Sequence, residues 1–187
     1  QPGWVCVDVG AHLGYFTLLL ARLVGETGCV FAFEALPENA RWLRENVALN
    51  GFTDRVTVED LAVTDGKQPV IRLNAPLHYT SEWSIVRRSP VHRSVKVQTV
   101  SLDEYFAGRT GVDFIKMDIE GAEYIALQGS RSLLQQHCPL CLIELHGEEG
   151  QMAARFLLEM DYHVEDLEGQ SLHAPPFARH ILARPRA

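Results

Sequence analysis

The sequence predicts an α/β fold in which a largely parallel sheet carries helices on both faces. Short apolar runs of strand length alternate with helical stretches from Trp4 to Glu59. Such a βαβαβ start needs crossover connections and therefore parallel strands. The alternation resumes from Val112 to the end of the chain. With 187 residues, 47% of them hydrophobic and 22% charged, the chain is long enough to bury one core, and a single domain over 1–187 is the expectation.

The elements follow in order. Trp4–Val9 (WVCVDV) is a strand, and Gly10–Gly14 is a glycine-rich turn. Tyr15–Val24 (YFTLLLARLV) is a helix whose nearly continuous apolar surface suits packing on a sheet. Cys29–Phe33 (CVFAF) is the second strand, ending at Glu34. Pro37 suits a first helical turn. That helix runs from about Glu38 to Asn50, with Leu43, Val47 and Leu49 on its apolar side, and Asn50-Gly51 stops it. Arg55–Glu59 is a third strand. An irregular insertion occupies about 69–100. In it Val70–Leu73 and Val95–Val100 alternate like exposed strands around a polar and aromatic loop, Ala75–Arg93. Tyr79 and Trp83 in that loop either belong to a substrate lid or pack the loop down, and the sequence does not choose between them. Ser101-Leu102-Asp103-Glu104 has capping-box form and opens a short helix to about Phe106. Then come a strand at Val112–Met117, mostly helix over Gly121–Gln135, and a strand at Leu140–Leu145. A helix at Glu148–Met160 places Met152, Phe156, Leu157 and Met160 on one stripe. Tyr162–Leu167 and His180–Ala183 are the closing strands.

Composition excludes some functions. The net charge of −7 argues against a nucleic-acid backbone as partner. Arg87, Arg88 and Arg93 form the one basic cluster and read as a solvated loop. No stretch reaches the roughly 18 apolar residues of a membrane span, and there is no signal-peptide pattern. Of four cysteines, Cys6 and Cys29 sit in apolar runs, while Cys138 and Cys141 form a C-x-x-C that lacks the second ligand pair of a structural zinc site. A reducing compartment, hence the cytoplasm, is expected. The chain opens on Gln1-Pro2-Gly3 without an initiator Met, so it is expected to be the core of a longer protein.

Ligands of open α/β sheets bind beyond the carboxyl ends of the strands. Polar residues recur there: Asp8, Gly10, Ala11, His12 and Gly14 after the first strand, Glu34 after the second, and Asp60 with Leu61 and Ala62 after the third. Lys116, Asp118 and Glu120 follow the next, and Glu144 and His146 the one after. Asp8–Gly14 is D-x-G-x-x-x-G between strand and helix, a turn that lets backbone approach a ligand. Glu34, at the end of the next strand, suits a carboxylate accepting hydrogen bonds from ribose hydroxyls. His12 replaces the second glycine of a dinucleotide fingerprint, so a nucleoside without pyrophosphate fits better. S-adenosylmethionine is the commonest such cofactor.

The segments DVGAHLGYFTLLLA, FAFEALPENARWLRENVALN, LAV, TVSLDEYF, VDFIKMDIEGAEYIALQG and LIELH, in this order from about Val5 to His146, resemble the FkbM-type family of S-adenosylmethionine-dependent methyltransferases. KMDIEGAE and FE-x-x-P-E-N are the specific elements. The resemblance implies a Rossmann-like class I methyltransferase fold, with a mostly parallel seven-stranded sheet, helices on both faces and an antiparallel last strand. It implies O-methylation of a hydroxyl on a sugar, polyketide or other small molecule. By position it places Asp8, Gly10 and Gly14 around the cofactor's methionine, Glu34 on the ribose and Ala35 beside the adenosine. Asp60, Leu61 and Ala62 would line the adenine, and Asp118 would lie near the transferable methyl. The family usually carries Asn where this chain has His12, which alters the contacts of that loop.

Transfer to a hydroxyl needs an acceptor held against the methyl and a route for its proton. The candidate bases are Asp118 and His146, equally ranked, with Glu144 behind them. Asp118, Glu144 and His146 also admit a divalent ion by ligand type, which is not the favoured reading. Lys116 is expected to pair with one of these carboxylates. Glu120 and Glu123 are expected to cap or solvate the start of the next helix. The alternatives are an NAD-linked oxidoreductase, against which the missing glycine counts, and a cofactor-binding protein without methyl transfer. The acceptor is expected to be a small molecule or glycan, and the pattern assigns no oligomeric state.

Overall fold

The computed structural model describes residues 1–76, 92–109 and 111–186. The elements are β1 (Val5–Val9), α1 (Tyr15–Val24), β2 (Cys29–Phe33), α2 (Pro37–Leu49), β3 (Val56–Glu59), β4 (Ala62–Val63), β5 (Val70–Pro76) and β6 (His92–Val100). After these come α3 (Leu102–Tyr105), β7 (Phe114–Met117), α4 (Glu123–Gln128), α5 (Arg131–His137), β8 (Leu140–Glu144), α6 (Gly147–Glu159), β9 (Tyr162–Glu165) and β10 (His180–Pro185). Tyr79, Trp83, Arg87 and Arg88, and the Arg93 side chain, lie outside the described residues.

Seven strands form one sheet in the order β3-β2-β1-β7-β8-β10-β9. β10 is antiparallel to both neighbours, and every other pair is parallel. The chain winds outward from β1 to β3, then returns to the other side of β1 at β7. That reversal leaves a crevice beyond the carboxyl ends of β1 and β7. A smaller sheet, β4-β6-β5, joins β5 and β6 antiparallel and β4 and β6 parallel.

Both faces of the large sheet are covered, which is why β1 reads as one apolar run rather than an alternating one. On one face Cys6 and Val30 pack under Leu20, Ala21 and Val24 of α1. On the other, Val7, Val9, Ile115, Met117 and Ile143 pack under Ala126, Leu127, Ala153 and Leu157. The Ser101 hydroxyl accepts from the Glu104 N–H at 3.1 Å, so the predicted cap opens α3.

Three expectations need correction. Leu49 is 83% exposed, and α2 buries Ala40, Leu43 and Val47 instead. Met152 is 41% exposed, because α6 turns Gly150, Ala153 and Ala154 to the sheet beside Phe156 and Leu157. Gly121–Gln135 is two helices rather than one. The break falls at Gly129-Ser130, where a Cβ on Gly129 would stand 2.1 Å from the Thr64 carbonyl oxygen, and the Ser130 hydroxyl caps back onto the Ala126 carbonyl. Among the described residues no helix is long and apolar enough to cross a membrane.

Candidate active site

The crevice at the strand reversal is a cavity of about 370 Å³. Its lining comes from five stretches far apart in sequence: Val9–Leu13 with Tyr15 and Phe16, Phe33–Ala35 with Asn39, Leu61–Val63, Leu73, and Lys116 with Asp118–Glu120 and Ala122. Two loops make its floor. The Asp118 N–H bonds the Val9 carbonyl, and the N–H groups of Gly10 and Ala11 both reach the Phe33 carbonyl. Gly10 has φ +79°, and a Cβ there would stand 1.9 Å from the Asp118 carbonyl oxygen. Only glycine lets the two loops meet.

Glu34 stands at one end, 8% exposed. Its Oε2 accepts from the His12 N–H at 2.8 Å and its Oε1 from the Leu36 N–H at 2.9 Å. Burial pushes its carboxyl above the usual range, and these backbone bonds, with Asn39, oppose that. With Asn39 as a third donor, one of the carboxylate's four lone pairs is left for a ligand hydroxyl. Ala35, Leu61, Ala62 and Val63 stand beside it, with Phe33 and Leu73, as an apolar wall.

Asp8 is fully buried and is not part of the lining. Its Oδ2 accepts from the Thr17 hydroxyl at 2.6 Å, and Oδ1 faces the Lys116 ammonium at 3.4 Å. Desolvation raises its pKa and Lys116 opposes it. Lys116 carries that contact to the cavity: its ammonium donates to the Gly10 carbonyl at 3.2 Å and lies 3.9 Å from Asp118. Gly14 also lies outside the lining. It takes φ +101° at the start of α1, where a Cβ would stand 2.5 Å from Leu43. Asp60 is turned away, paired with Arg44.

At the other end lie the acids and one imidazole. Asp118 is half-buried. Desolvation lifts its pKa, Lys116 draws it down and Glu144 pushes it up. His146, just before α6, lies behind Asp118 with an 8% exposed side chain. Its Nδ1 bonds Glu123 Oε1 at 2.9 Å. Its Nε2 lies 3.4 Å from Glu144, 3.7 Å from Glu120 and 4.0 Å from Asp118. The bond to Glu123 raises the imidazole pKa against the effect of burial. Glu123 is fully buried rather than solvating a helix end, and it also accepts the Gly121 N–H at 3.1 Å. Burial pushes the Glu144 carboxyl up, but Arg179 at 2.7 Å, with His180 and His146, more than offsets this and holds it below the usual range.

Asn39, Phe16 and Leu73 escape sequence reasoning. Asn39 has a local signal, as the last residue of FE-x-x-P-E-N. Phe16 and Leu73 have none, because only the fold brings them to the cavity.

The family model of the Methyltransferase FkbM domain matches residues 8–166. A Protein-L-isoaspartate O-methyltransferase of Aeropyrum pernix is 41% identical over 78 residues, 42% of this chain and 28% of that protein. Two solved structures share the fold. The Methyltransferase FkbM of Methylobacillus flagellatus has a TM-score of 0.67 at 21% identity, covering 97% of this chain and 43% of that one. A SAM-dependent O-methyltransferase of Thermotoga maritima has a TM-score of 0.61 at 16% identity, covering 100% and 61%. The chain thus spans less than half of the FkbM structure that it matches. The sheet order, the crevice at its reversal and a family match over most of the sequence agree, and the chain belongs to the FkbM methyltransferase family.

Proposed function

We propose that the chain methylates a hydroxyl oxygen of a sugar, polyketide or other small molecule, using S-adenosylmethionine. The observation that carries the proposal is the polarity of the cavity: a buried carboxylate with a lone pair open to a ligand at one end, apolar walls, and an acid–imidazole cluster at the other. Glu34 would accept from the ribose hydroxyls. Ala35, Leu61 and Ala62 would flank the adenine. Gly10, Ala11 and His12 would border the methionine, with Asp8 acting through Lys116. The cofactor supplies an electrophilic sulfonium methyl. Asp118 and His146 would handle the acceptor's proton, and Glu144, held by Arg179, would serve as their charged neighbour. All four cysteines are free, in keeping with a cytoplasmic enzyme.

A neutral acceptor suits this site better than an anionic one. Asp118, Glu120, Glu123 and Glu144 converge on it, and a substrate carboxylate, such as the one named for the A. pernix relative, would meet that charge. The test offers S-adenosylmethionine with panels of hydroxylated sugars and macrolactones and with an isoaspartyl peptide, and reads methyl transfer by mass spectrometry. Transfer to hydroxyls is expected, falling at least a hundredfold in Asp118→Asn. Faster transfer to the isoaspartyl peptide would overturn the reading.

A further inference from the structure

We propose that Asp118, Glu120 and His146 form a binding site for a divalent cation of the Mg²⁺ and Mn²⁺ class, at the acceptor end of the cavity. One ligand atom from each lies within 4.8 Å of the others. Two acids and a histidine alone are common on protein surfaces. The independent observation is His146 Nε2, which is buried and makes no hydrogen bond although its side chain is 8% exposed. A buried polar nitrogen without a partner is costly. Here it faces carboxylate oxygens of Glu144, Glu120 and Asp118 at 3.4, 3.7 and 4.0 Å, within ion-pair distance but without a hydrogen bond to any of them.

The tautomer fits a ligand. Glu123 takes the Nδ1 proton at 2.9 Å, which leaves the lone pair of the neutral ring on Nε2. A carboxylate behind a ligating imidazole fixes the ring and raises its basicity. Glu123 is itself held by the Gly121 N–H, so the orientation is built in. The set of two carboxylate oxygens and one imidazole nitrogen, without thiolate, suits a hard or borderline divalent ion. Ligands about 2.1 Å from such an ion stand about 3 to 3.5 Å apart, so the carboxylates, now within 4.8 Å of each other and of the imidazole, close in by about 1 Å, a side-chain rotation, when an ion binds. Asp118 and Glu120 line the cavity while His146 does not, so the open coordination positions face the space where an acceptor sits. A hydroxyl oxygen in one of them loses its proton more readily, so Asp118 and His146 act on that proton through the ion they hold and not as free bases, and the proton passes to water. Glu144, engaged by Arg179 and His180, stays outside the ligand set.

This role rests on the proposed hydroxyl methylation, but its test does not. Purified protein is titrated with MnCl₂ alone, and free Mn²⁺ is read by its electron paramagnetic resonance signal. S-adenosylhomocysteine binding is measured separately by calorimetry. One Mn²⁺ per chain is expected, displaced by millimolar Mg²⁺. Affinity should fall at least tenfold in Asp118→Asn and Glu120→Gln, and about 10- to 100-fold in Glu123→Gln, which touches no ion. Circular dichroism confirms that each variant is folded, and these three decide the matter if His146→Gln does not fold. No Mn²⁺ uptake at millimolar concentration would overturn the site and leave His146 as an imidazolium balanced by its carboxylates. Uptake equal in wild type, Asp118→Asn and Glu120→Gln would overturn it too, by placing the ion elsewhere. Failure of S-adenosylhomocysteine to bind while Mn²⁺ binds would sink the methyl-transfer reading and not the cation site.

Discussion

Glu34 is held next to an apolar wall by the backbone N–H groups of His12 and Leu36 and by the Asn39 side chain, which favour its charged form. Burial nevertheless sets its pKa above the ordinary glutamate value of about 4.3. If ribose hydroxyls donate to it, the ionised form is the one that binds. Affinity for S-adenosylhomocysteine should therefore fall as pH drops, beginning at a higher pH than an ordinary glutamate would dictate. Glu34→Gln should weaken binding by about 1.5–3 kcal/mol, tenfold or more, and remove this pH dependence. Calorimetry across the acid range checks both, and a pH profile shared by wild type and Glu34→Gln would take Glu34 out of the site. At this scale the sequence is readable where a residue type and a strand end coincide. Glu34 and Asp118 are of that kind. Asp8 shows the limit, because a carboxylate pointing from mid-strand has its partner chosen by packing. Here that partner is Thr17 above it and Lys116 on the next strand, and its route to the cavity runs through Lys116.

Helices and strands are legible because their periods are local. The match of Tyr15–Val24 and Cys29–Phe33 to α1 and β2 needs only runs of apolar residues between glycines. What escapes is any boundary set by a distant contact. Gly129 ends α4 because the Thr64 carbonyl lies where its side chain would be, and nothing near Gly129 in sequence announces residue 64. Leu49 and Met152 mislead for a related reason, since an apolar residue at a helix edge is as compatible with solvent as with the core. Gly10 is the element-level contact on which the site depends. Gly10→Ala adds a left-handed residue, worth about 1–2 kcal/mol, and a Cβ 1.9 Å from the Asp118 carbonyl oxygen. The β1–α1 turn and the loop after β7 must then part. The expected result is a loss of 2 kcal/mol or more in urea denaturation together with at least tenfold weaker S-adenosylhomocysteine binding. Gly108→Ala is the control. It has φ +73° but nothing within 4 Å of its added Cβ, so it should lose about 1–2 kcal/mol and no affinity. Equal behaviour of the two variants would show that the turn and loop can separate freely.

For the molecule as a whole, the winding of the sheet decides where chemistry can occur. A chain that runs outward from β1 to β3 and returns at β7 has one reversal, and its crossover helices cover both faces. The crevice was legible from sequence for that reason. The β5–β6 pair was legible as strands but not as a wall of the cavity, because Leu73 reaches it only through the pairing of β4 with β6. A site assembled from residues 9–16, 33–39, 61–63, 73 and 116–122 exists only when the whole sheet is formed. Its ligand therefore binds the native state and not the unfolded chain. At a hundred times its Kd such a ligand adds about 2.7 kcal/mol to stability. For a chain of this length each kcal/mol moves Tm by about 2–4 °C, so saturating S-adenosylhomocysteine should raise Tm by about 5–11 °C. About half to nine-tenths of that rise should vanish at the same concentration in Glu34→Gln, since a loss of about 1.5–3 kcal/mol brings the ligand from a hundred times Kd down to between about eight and 0.6 times Kd. Differential scanning fluorimetry of both proteins measures it. A rise that survives undiminished in Glu34→Gln would mean that the nucleoside sits somewhere other than the crevice between β1 and β7.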